Sequence, residues 1–286
     1  MQKEIFNGIV ISNLSDLYKV EVNNAIYDCN ARGKFKAEET SPVAGDIVEI
    51  EITDKEKKVG VIEKILDRKN YIKRPKIANL SQIILVVSMK LPKPDLLLLD
   101  KQLVYAEHMN IKPIICLNKI DLEDENKIDY IYNLYRNIGY EVIKTDAKNN
   151  VGVDEIKKYL ENNITAFSGN SGVGKSTLIN LLLGKTIAQE GDISNKNKRG
   201  KNTTTQVVLY KIGQSSYIAD TPGFSTFDIK EIDKKDLAYY FIEFRKYIKE
   251  CEYIDCSHKK EENCGIKKGV QEGKISKDRY ERFCQL

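Results

Sequence analysis

The eight residues at positions 169–176 constrain the fold of this chain more than any other segment. An apolar strand is predicted at Ile164–Phe167 before them, and a helix is predicted over Lys175–Leu183. A glycine-rich turn between a strand and a helix lets backbone N–H groups surround phosphate oxygens at the positive end of the helix. The segment fits the G-x-x-x-x-G-K-[ST] pattern of a nucleotide phosphate loop. We therefore expect a phosphate site made of Gly169, Asn170, Ser171, Gly172, Val173, Gly174, Lys175, Ser176 and Thr177.

The chain around this loop alternates apolar strands with helices. This alternation is typical of a mostly parallel sheet that is covered by helices on both faces. A polar stretch, Asp67–Lys76, leads into this region, and we expect an α/β nucleotide-binding domain over 69–228. Besides those named above, the predicted strands are Ile83–Ser88, Ile111–Leu117, Tyr140–Lys144, Val207–Ile212 and Tyr217–Ala219, and the predicted helices are Asp95–Met109, Ile128–Asn137 and Val153–Leu160.

A second motif, N-K-x-D, follows the predicted strand at Ile111–Leu117. The carboxylate of Asp121 can accept hydrogen bonds from guanine N1–H and from its exocyclic amine, a donor pair that adenine lacks. Asn118 and Lys119 would brace the base and the loop, whereas a bare tetrapeptide of this kind could also be a surface turn. A further loop follows the strand at Tyr140–Lys144 and suits the back of the guanine. The expected base-binding residues are Asn118, Lys119, Ile120, Asp121, Thr145, Asp146 and Ala147.

A D-x-x-G element closes the predicted strand Tyr217–Ala219. Asp220 would hold Mg²⁺ through water, Ser176 would ligate the same ion, and the N–H of Gly223 would meet the γ-phosphate. One of three consecutive threonines, 203–205, would ligate Mg²⁺, and the sequence leaves open which one. Phe224 stands where many GTPases carry a water-orienting Gln. The expected catalytic residues are Lys175, Ser176, Asp220, Gly223, Asn202 as the amide that orients water, and Thr204.

The order of these motifs is permuted. Common GTPases run from the phosphate loop through the switch threonine and D-x-x-G to N-K-x-D. Here N-K-x-D comes first, at 118–121, and the phosphate loop follows at 169–176. A nucleotide site needs only that its parts converge at the ends of the strands, so the permutation is compatible with GTP binding.

Residues 1–68 have the pattern of a separate β-domain. Five short strands are predicted at Glu4–Ile11, Tyr18–Val22, Ala25–Asn30, Ile47–Ile52 and Val59–Ile65, and Asn23-Asn24 suits a tight turn. Five such strands fit a small barrel of the oligonucleotide-binding (OB) type. The alternative is a β-domain used only for packing.

The C-terminal part, 229–286, is predicted to be a small helical domain that binds zinc. Its aromatic band, from Tyr239 to Tyr247, is expected to form the domain's core, and the alternative is a platform for base stacking. Three thiolates and one imidazole within fourteen residues form a closed tetrahedral donor set, which suits structural Zn²⁺. The alternative is a group of thiols without metal. The expected ligands are Cys251, Cys256, His258 and Cys264, whereas Cys29, Cys116 and Cys284 are expected to be ordinary thiols.

Composition excludes several other classes of protein. The chain has 286 residues, 41% of them hydrophobic, and a net charge of +4, so neither disorder nor a strongly basic nucleic-acid binder is indicated. No apolar run approaches the roughly 18 residues that a membrane helix needs, and the N-terminus lacks the apolar core of a signal peptide. We therefore expect a cytoplasmic, multi-domain protein.

Together, the β-rich N-terminal domain, the permuted GTPase motifs and the Cys-Cys-His-Cys tail resemble the ribosome small-subunit-dependent GTPase A (RsgA/YjeQ) family over essentially the whole chain. Further similar phrases are Pro42–Asp46, Ala78-Asn79, Gly200–Thr205, and Gly273–Ser276 before Arg279-Tyr280. The resemblance implies late maturation of the small (30S) ribosomal subunit, with GTP hydrolysed on that particle and the protein leaving afterwards. It also implies that the OB-like and zinc domains contact rRNA. One departure is Asn202, where many members have His.

The partners expected from this resemblance are the small subunit with its rRNA, and GTP or GDP. The cofactors are one structural Zn²⁺ and the Mg²⁺ that accompanies GTP, and a monomer is expected. Two alternatives remain at this point. One is a nucleotide-switched adaptor that binds a protein partner and uses slow GTP hydrolysis as a timer. The other is a membrane-associated permuted GTPase, for which the sequence offers no lipid motif or basic amphipathic helix.

Overall fold

The computed structural model describes residues 4–33, 35, 40–184, 206–220 and 229–286. These residues group into two compact units. The first unit is drawn from Met1–Ile83, Val153–Phe167 and Ser176–Phe224, and the second is drawn from Ile84–Gly152, Ser168–Lys175 and Ser225–Leu286.

The strands, in chain order, are β1 (Ile5–Leu14), β2 (Leu17–Val22), β3 (Ala25–Ala31), β4 (Ile47–Asp54), β5 (Val59–Ile65), β6 (Tyr71–Lys73), β7 (Lys76–Ala78), β8 (Gln82–Ser88), β9 (Lys112–Asn118), β10 (Glu141–Thr145), β11 (Ile164–Ser168), β12 (Val208–Lys211) and β13 (Tyr217–Asp220). The α-helices are α1 (Leu96–His108), α2 (Glu125–Arg136), α3 (Val153–Leu160), α4 (Lys175–Leu183), α5 (Arg245–Ile248), α6 (Gly265–Gln271) and α7 (Lys277–Cys284). Short 3₁₀ turns occur at 120–122, 229–231, 237–240 and 242–244.

Strands β1 to β5 form a closed barrel. β1 pairs antiparallel with both β2 and β4, and the ring continues through β2–β3, the parallel pair β3–β5, and β5–β4. Its core contains Val10, Val20, Val48, Ile50 and Ile62, none of which has exposed surface. The predicted OB-type barrel is therefore confirmed, including the tight turn at Asn23-Asn24, where both residues have positive φ.

The polar stretch Asp67–Lys76 is more structured than its sequence suggests. It contains β6 and leads into β7, and these two strands form a hairpin. Arg68 donates two hydrogen bonds of 2.7 Å to the buried carboxylate of Asp46. Asn70 and the backbone of Leu80 exchange hydrogen bonds of 2.9 Å. Three-residue strands have no detectable period, so the sequence pattern could not reveal this hairpin.

The predicted strands of the nucleotide-binding region are present in both units. In the first unit β11 pairs in parallel with β13, and β12 pairs antiparallel with β13. In the second unit β9 and β10 are parallel. Helix α2 begins at Glu125, three residues before the predicted start, because the side chain of Asp124 accepts a hydrogen bond from the N–H of Asn126 and caps the helix.

The C-terminal segment, 229–286, is helical as predicted and has a compact aromatic core. Phe241 and Phe244 stack at 4.9 Å, and Phe283 packs edge-on against both. Tyr239 is an exception within the aromatic band, because 56% of its surface is exposed. None of the helices in the described part of the chain is both long and apolar enough to cross a membrane.

The connection between the barrel and the β6–β7 hairpin provides a test of the packing. Gly45 has φ +89°, and a Cβ at this position would lie 2.1 Å from the carbonyl oxygen of Ala78. We predict that Gly45→Ala lowers the free energy of unfolding by about 1–3 kcal/mol from backbone strain alone, with the steric clash added. Gly33→Ala is the control, since among the described residues no atom beyond its chain neighbours lies within 4 Å of its Cβ position. Urea unfolding followed by circular dichroism measures both, and equal midpoints for the two variants would contradict this prediction.

Candidate nucleotide and metal sites

The predicted phosphate loop follows β11 and turns tightly against strand β8 of the second unit. Gly169, Gly172 and Gly174 all have φ between +77° and +138°, a region that favours glycine. A Cβ on Gly169 would lie 2.2 Å from the carbonyl oxygen of Val86 in β8. The glycines are thus required both by the turn and by the close approach of neighbouring backbone.

Lys175 lies in this loop with its ammonium group half-buried. Nζ donates hydrogen bonds to the carbonyl oxygens of Gly169 (2.7 Å) and Asn170 (2.8 Å). Burial lowers the pKa of Lys175, because the charged form loses solvation. A phosphate oxygen close to Nζ would restore that lost stabilisation, so the position suits an anionic ligand.

The N-K-x-D motif braces the phosphate loop directly. The side-chain amide of Asn118 donates to the carbonyl oxygen of Val173 at 2.8 Å. Lys119 adopts a left-handed conformation (φ 63°), and its Nζ donates to the carbonyl oxygen of Gly172 at 2.6 Å and to that of Leu91. Two adjacent residues of one motif therefore hold two adjacent carbonyls of the other.

The same asparagine also holds the loop that follows β10. The Oδ1 atom of Asn118 accepts hydrogen bonds from the hydroxyl of Thr145 (3.0 Å) and from the N–H of Ala147 (3.1 Å). The carboxylate of Asp146 accepts from the backbone of Lys148 and Asn149, so it shapes its own loop. The three predicted base-binding and phosphate-binding segments therefore converge on one buried side chain.

Asp121 lies in the short 3₁₀ turn after β9 and is exposed, and Ile120 beside it is partly exposed. An exposed carboxylate next to the braced loop is available to a ligand. In the first unit, Asp220 ends β13, and the register Ala166↔Ala219 brings it level with the end of β11. Ser176 and Thr177 lie in the first turn of α4. The predicted residues Asn202, Thr204 and Gly223 lie outside the described residues, as do the other two threonines at 203 and 205.

Sequence reasoning missed the residues that hold the phosphate loop from α1. Asp95 caps α1 through the N–H of Leu98 (2.9 Å), and its other oxygen accepts from the side chain of Asn170 at 3.3 Å. Gln102 donates to the hydroxyl of Ser168, which directly precedes the loop. A capping Asp before an apolar helix is a recognisable signal, but nothing in the sequence marks its contact with Asn170.

The predicted metal ligands come together in the second unit. One ligand atom from each of Cys251, Cys256, His258 and Cys264 lies within 4.8 Å of the others, and this is the one such group among the described residues. Nδ1 of His258 lies 3.4 Å from Sγ of Cys251 and 3.5 Å from Sγ of Cys264. His258 itself has φ 61°, and its carbonyl accepts a hydrogen bond from the Tyr280 hydroxyl.

The chemistry of this donor set fits a soft divalent ion. Burial raises the pKa of the Cys256 thiol to about 12, and burial lowers the pKa of His258, which favours its neutral imidazole. A bound cation reverses the first effect by stabilising the thiolate, and it needs the neutral imidazole. Cys29 and Cys116 are buried elsewhere and Cys284 is partly buried, which leaves the four predicted residues as the candidate ligands.

Comparison with known proteins gives consistent results along the whole chain. The family model described as RsgA GTPase matches residues 65–230, and the RsgA N-terminal domain matches residues 7–62. A protein of Alkaliphilus metalliredigens named "Small ribosomal subunit biogenesis GTPase RsgA" is 39% identical, over 98% of this chain and 96% of that protein. The protein of the same name from Clostridium acetobutylicum is 44% identical, over 96% of this chain and 93% of the relative.

Two solved structures are also similar. The crystal structure of YjeQ from Thermotoga maritima has a TM-score of 0.84 and 36% identity, covering 99% of this chain and 97% of that one. The crystal structure of YloQ, described as a circularly permuted GTPase, has a TM-score of 0.82 and 32% identity, covering 99% and 93%. With a family model over more than half of its length and relatives over nearly all of it, this chain belongs to the RsgA family of circularly permuted GTPases.

Proposed function

We propose that this chain is a GTP hydrolase that acts in late maturation of the small ribosomal subunit, with GTP turnover stimulated by the particle and driving release from it. The observation that carries this proposal is the hydrogen bonding of Asn118 and Lys119 to the carbonyls of Val173 and Gly172. These hydrogen bonds join the guanine-binding motif and the phosphate loop into a single site. The RsgA relatives, whose name places them in small-subunit biogenesis, supply the process.

In this proposal, different residues of the site bind different parts of the nucleotide. Asp121 accepts the guanine N1–H and amine, while the backbone of the phosphate loop and Lys175 hold the phosphates. Ser176, a switch threonine and Asp220 hold Mg²⁺, which supplies positive charge to the β- and γ-phosphates. The N–H of Gly223 meets the γ-phosphate.

Hydrolysis also needs an oriented water molecule, and here the chain is poorly equipped. Phe224 follows the D-x-x-G element and has no hydrogen-bonding group. Asn202 can orient a water molecule but cannot act as a base at neutral pH. Slow turnover by the free protein follows, with the ribosomal particle supplying the missing order.

We call the C-terminal segment 229–286 the metal-binding tail. The barrel and this tail are the proposed contacts with rRNA, in a monomeric protein of the cytoplasm. A closed five-stranded barrel of the OB type supports this role, since such barrels bind oligonucleotides on one face. The competing proposal is an adaptor that binds a protein partner and uses slow hydrolysis as a timer. An adaptor would not respond to the particle.

We predict that purified small subunits accelerate GTP turnover. Single-turnover hydrolysis is measured for the protein alone and then with increasing small subunits, and the rate should rise by an order of magnitude or more, as it does when a missing catalytic group is supplied. Isolated large subunits are the control. Fast hydrolysis by the free protein that small subunits leave unchanged would contradict the proposal.

We predict that Asp121→Asn abolishes guanine selectivity. Two donors of the base lose their charged acceptor, so GTP affinity should fall by about 100-fold or more, while affinity for xanthosine triphosphate should rise. Glu125→Gln, an exposed change at the start of α2, is the control and should bind GTP normally. Equilibrium titration with each nucleotide measures the shift. Equal competition by GTP and ATP for the unmodified protein would refute the role of Asp121.

We predict one Zn²⁺ per chain, held by Cys251, Cys256, His258 and Cys264. Cys256→Ser should lose the metal and unfold part of the tail, because binding of a structural metal and local folding are coupled. Cys284→Ser, a partly buried thiol outside the ligand set, should keep it. Elemental analysis of protein purified without chelator gives the metal content. Finding no zinc in the unmodified protein, or full zinc in Cys256→Ser, would exclude this site.

A further inference from the structure

Helix α1 contacts the phosphate loop on one side. The side-chain amide of Gln102 donates to the Ser168 hydroxyl at 3.0 Å, and both side chains are almost completely buried, at 2% and 0% exposure. Ser168 is the residue before Gly169. Asp95, the cap of the helix, accepts a second hydrogen bond from the loop through Asn170. The helix thus touches the beginning of the phosphate loop at two points.

The opposite side of α1 contacts the metal-binding tail. Asp100 is fully buried, and its carboxylate pairs with both Arg279 and Arg282 of α7. The same carboxylate accepts a hydrogen bond of 2.7 Å from the hydroxyl of Tyr135, which adds α2 to the network. Arg279, 1% exposed, donates in addition to Glu243 at 2.6 Å.

Further contacts extend this side of the helix. Glu107 pairs with Arg245 at 2.8 Å, and Nδ1 of His108 lies 3.0 Å from the hydroxyl of Tyr240. Val104 is buried in the same apolar core as Cys256 and Cys264, two of the candidate metal ligands. Helix α1 therefore contributes one side chain, Val104, to the core of the tail.

Helical geometry separates these two sets of contacts. Successive residues of an α-helix are rotated by about 100°, so Asp100 and Gln102 lie about 200° apart, on opposite faces. A shift or rotation of α1 that the tail imposes at Asp100 must therefore move the amide of Gln102 against Ser168. All of these residues belong to one compact unit.

We propose that Arg279 and Gln102 are positioning residues for the nucleotide, and that α1 couples the metal-binding tail to the phosphate loop. The proposal rests on the nucleotide binding assigned above. Arg279 fixes α1 through Asp100, and Gln102 passes that position to Ser168. Coupling between two sites is reciprocal, so bound nucleotide must also stabilise the tail.

The test is amide hydrogen exchange of residues 264–286 in the full chain, with and without Mg²⁺–GDP at saturation. GDP should slow exchange in the unmodified protein. Gln102→Met should abolish that slowing even when the variant is saturated with GDP. Gln82→Met is the matched control: Gln82 is equally buried and donates to Thr165 at 2.8 Å, but it lies outside α1. This control should keep the GDP-dependent protection of the tail.

GDP affinity gives a second measurement that does not depend on exchange. Gln102→Met and Arg279→Met should each weaken GDP binding by about tenfold, within the usual range of coupling between sites. The double variant should be little weaker than either single variant, because both act through the same helix. Lys277→Met, on the exposed side of α7, should leave affinity unchanged.

The possible outcomes distinguish a failure of the coupling from a failure of the proposed function. Additive effects of the two substitutions, or tail protection by GDP that persists in Gln102→Met, would overturn the coupling while leaving GTP binding intact. Absence of GDP-dependent protection in the unmodified protein would do the same. Failure of the unmodified protein to bind GDP at all would overturn the proposed function, and the coupling with it.

Discussion

One asparagine holds the candidate nucleotide site together. The amide nitrogen of Asn118 donates to Val173 in the phosphate loop, and its oxygen accepts from Thr145 and Ala147. This arrangement requires a glycine at 174, because a Cβ there would lie 2.2 Å from the asparagine's amide nitrogen. Three segments that are far apart in sequence therefore meet through fixed hydrogen bonds. The order in which the chain supplies them is immaterial to the bonds themselves, which explains how a permuted GTPase can keep the binding chemistry of an ordinary one.

Much of this site could be predicted because its motifs are local. The phosphate loop, N-K-x-D and the Cys-Cys-His-Cys set are short strings whose chemistry depends on spacing, and the barrel strands carry their own alternation. The contacts of Asp95 and Gln102 could not be predicted, because each depends on which helix face packs against the loop. The pairing of Arg279 with Asp100 spans 179 residues. The phrase around Arg279-Tyr280 resembles the family, but no local pattern identifies Asp100 as the partner of that arginine.

The buried network at Asp100 has an energetic consequence for the tail. An ion pair that is removed from water repays its desolvation only when geometry is good and the remaining hydrogen bonds are satisfied. Here the carboxylate has two arginine partners and a tyrosine hydroxyl, and Arg279 also reaches Glu243. Losing one partner would leave a buried charge partly uncompensated. The docking of α7 onto α1 therefore depends on both arginines and on the tyrosine hydroxyl.

This buried network bears on how GTP hydrolysis would affect the conformation of the tail. The permutation itself offers one route, since the chain runs from the D-x-x-G element into the tail within a few residues. A covalent connection, however, transmits a displacement only as far as the connecting segment is stiff. Helix α1 offers a second route through buried contacts: Gln102 bonds to Ser168 on one face, and Asp100 bonds to Arg279 on the other. The helix is a single element of thirteen residues, and both contacts are excluded from water. In the proposed coupling, a shift of the phosphate loop would therefore act on the tail through α1, because the helix is bonded to both.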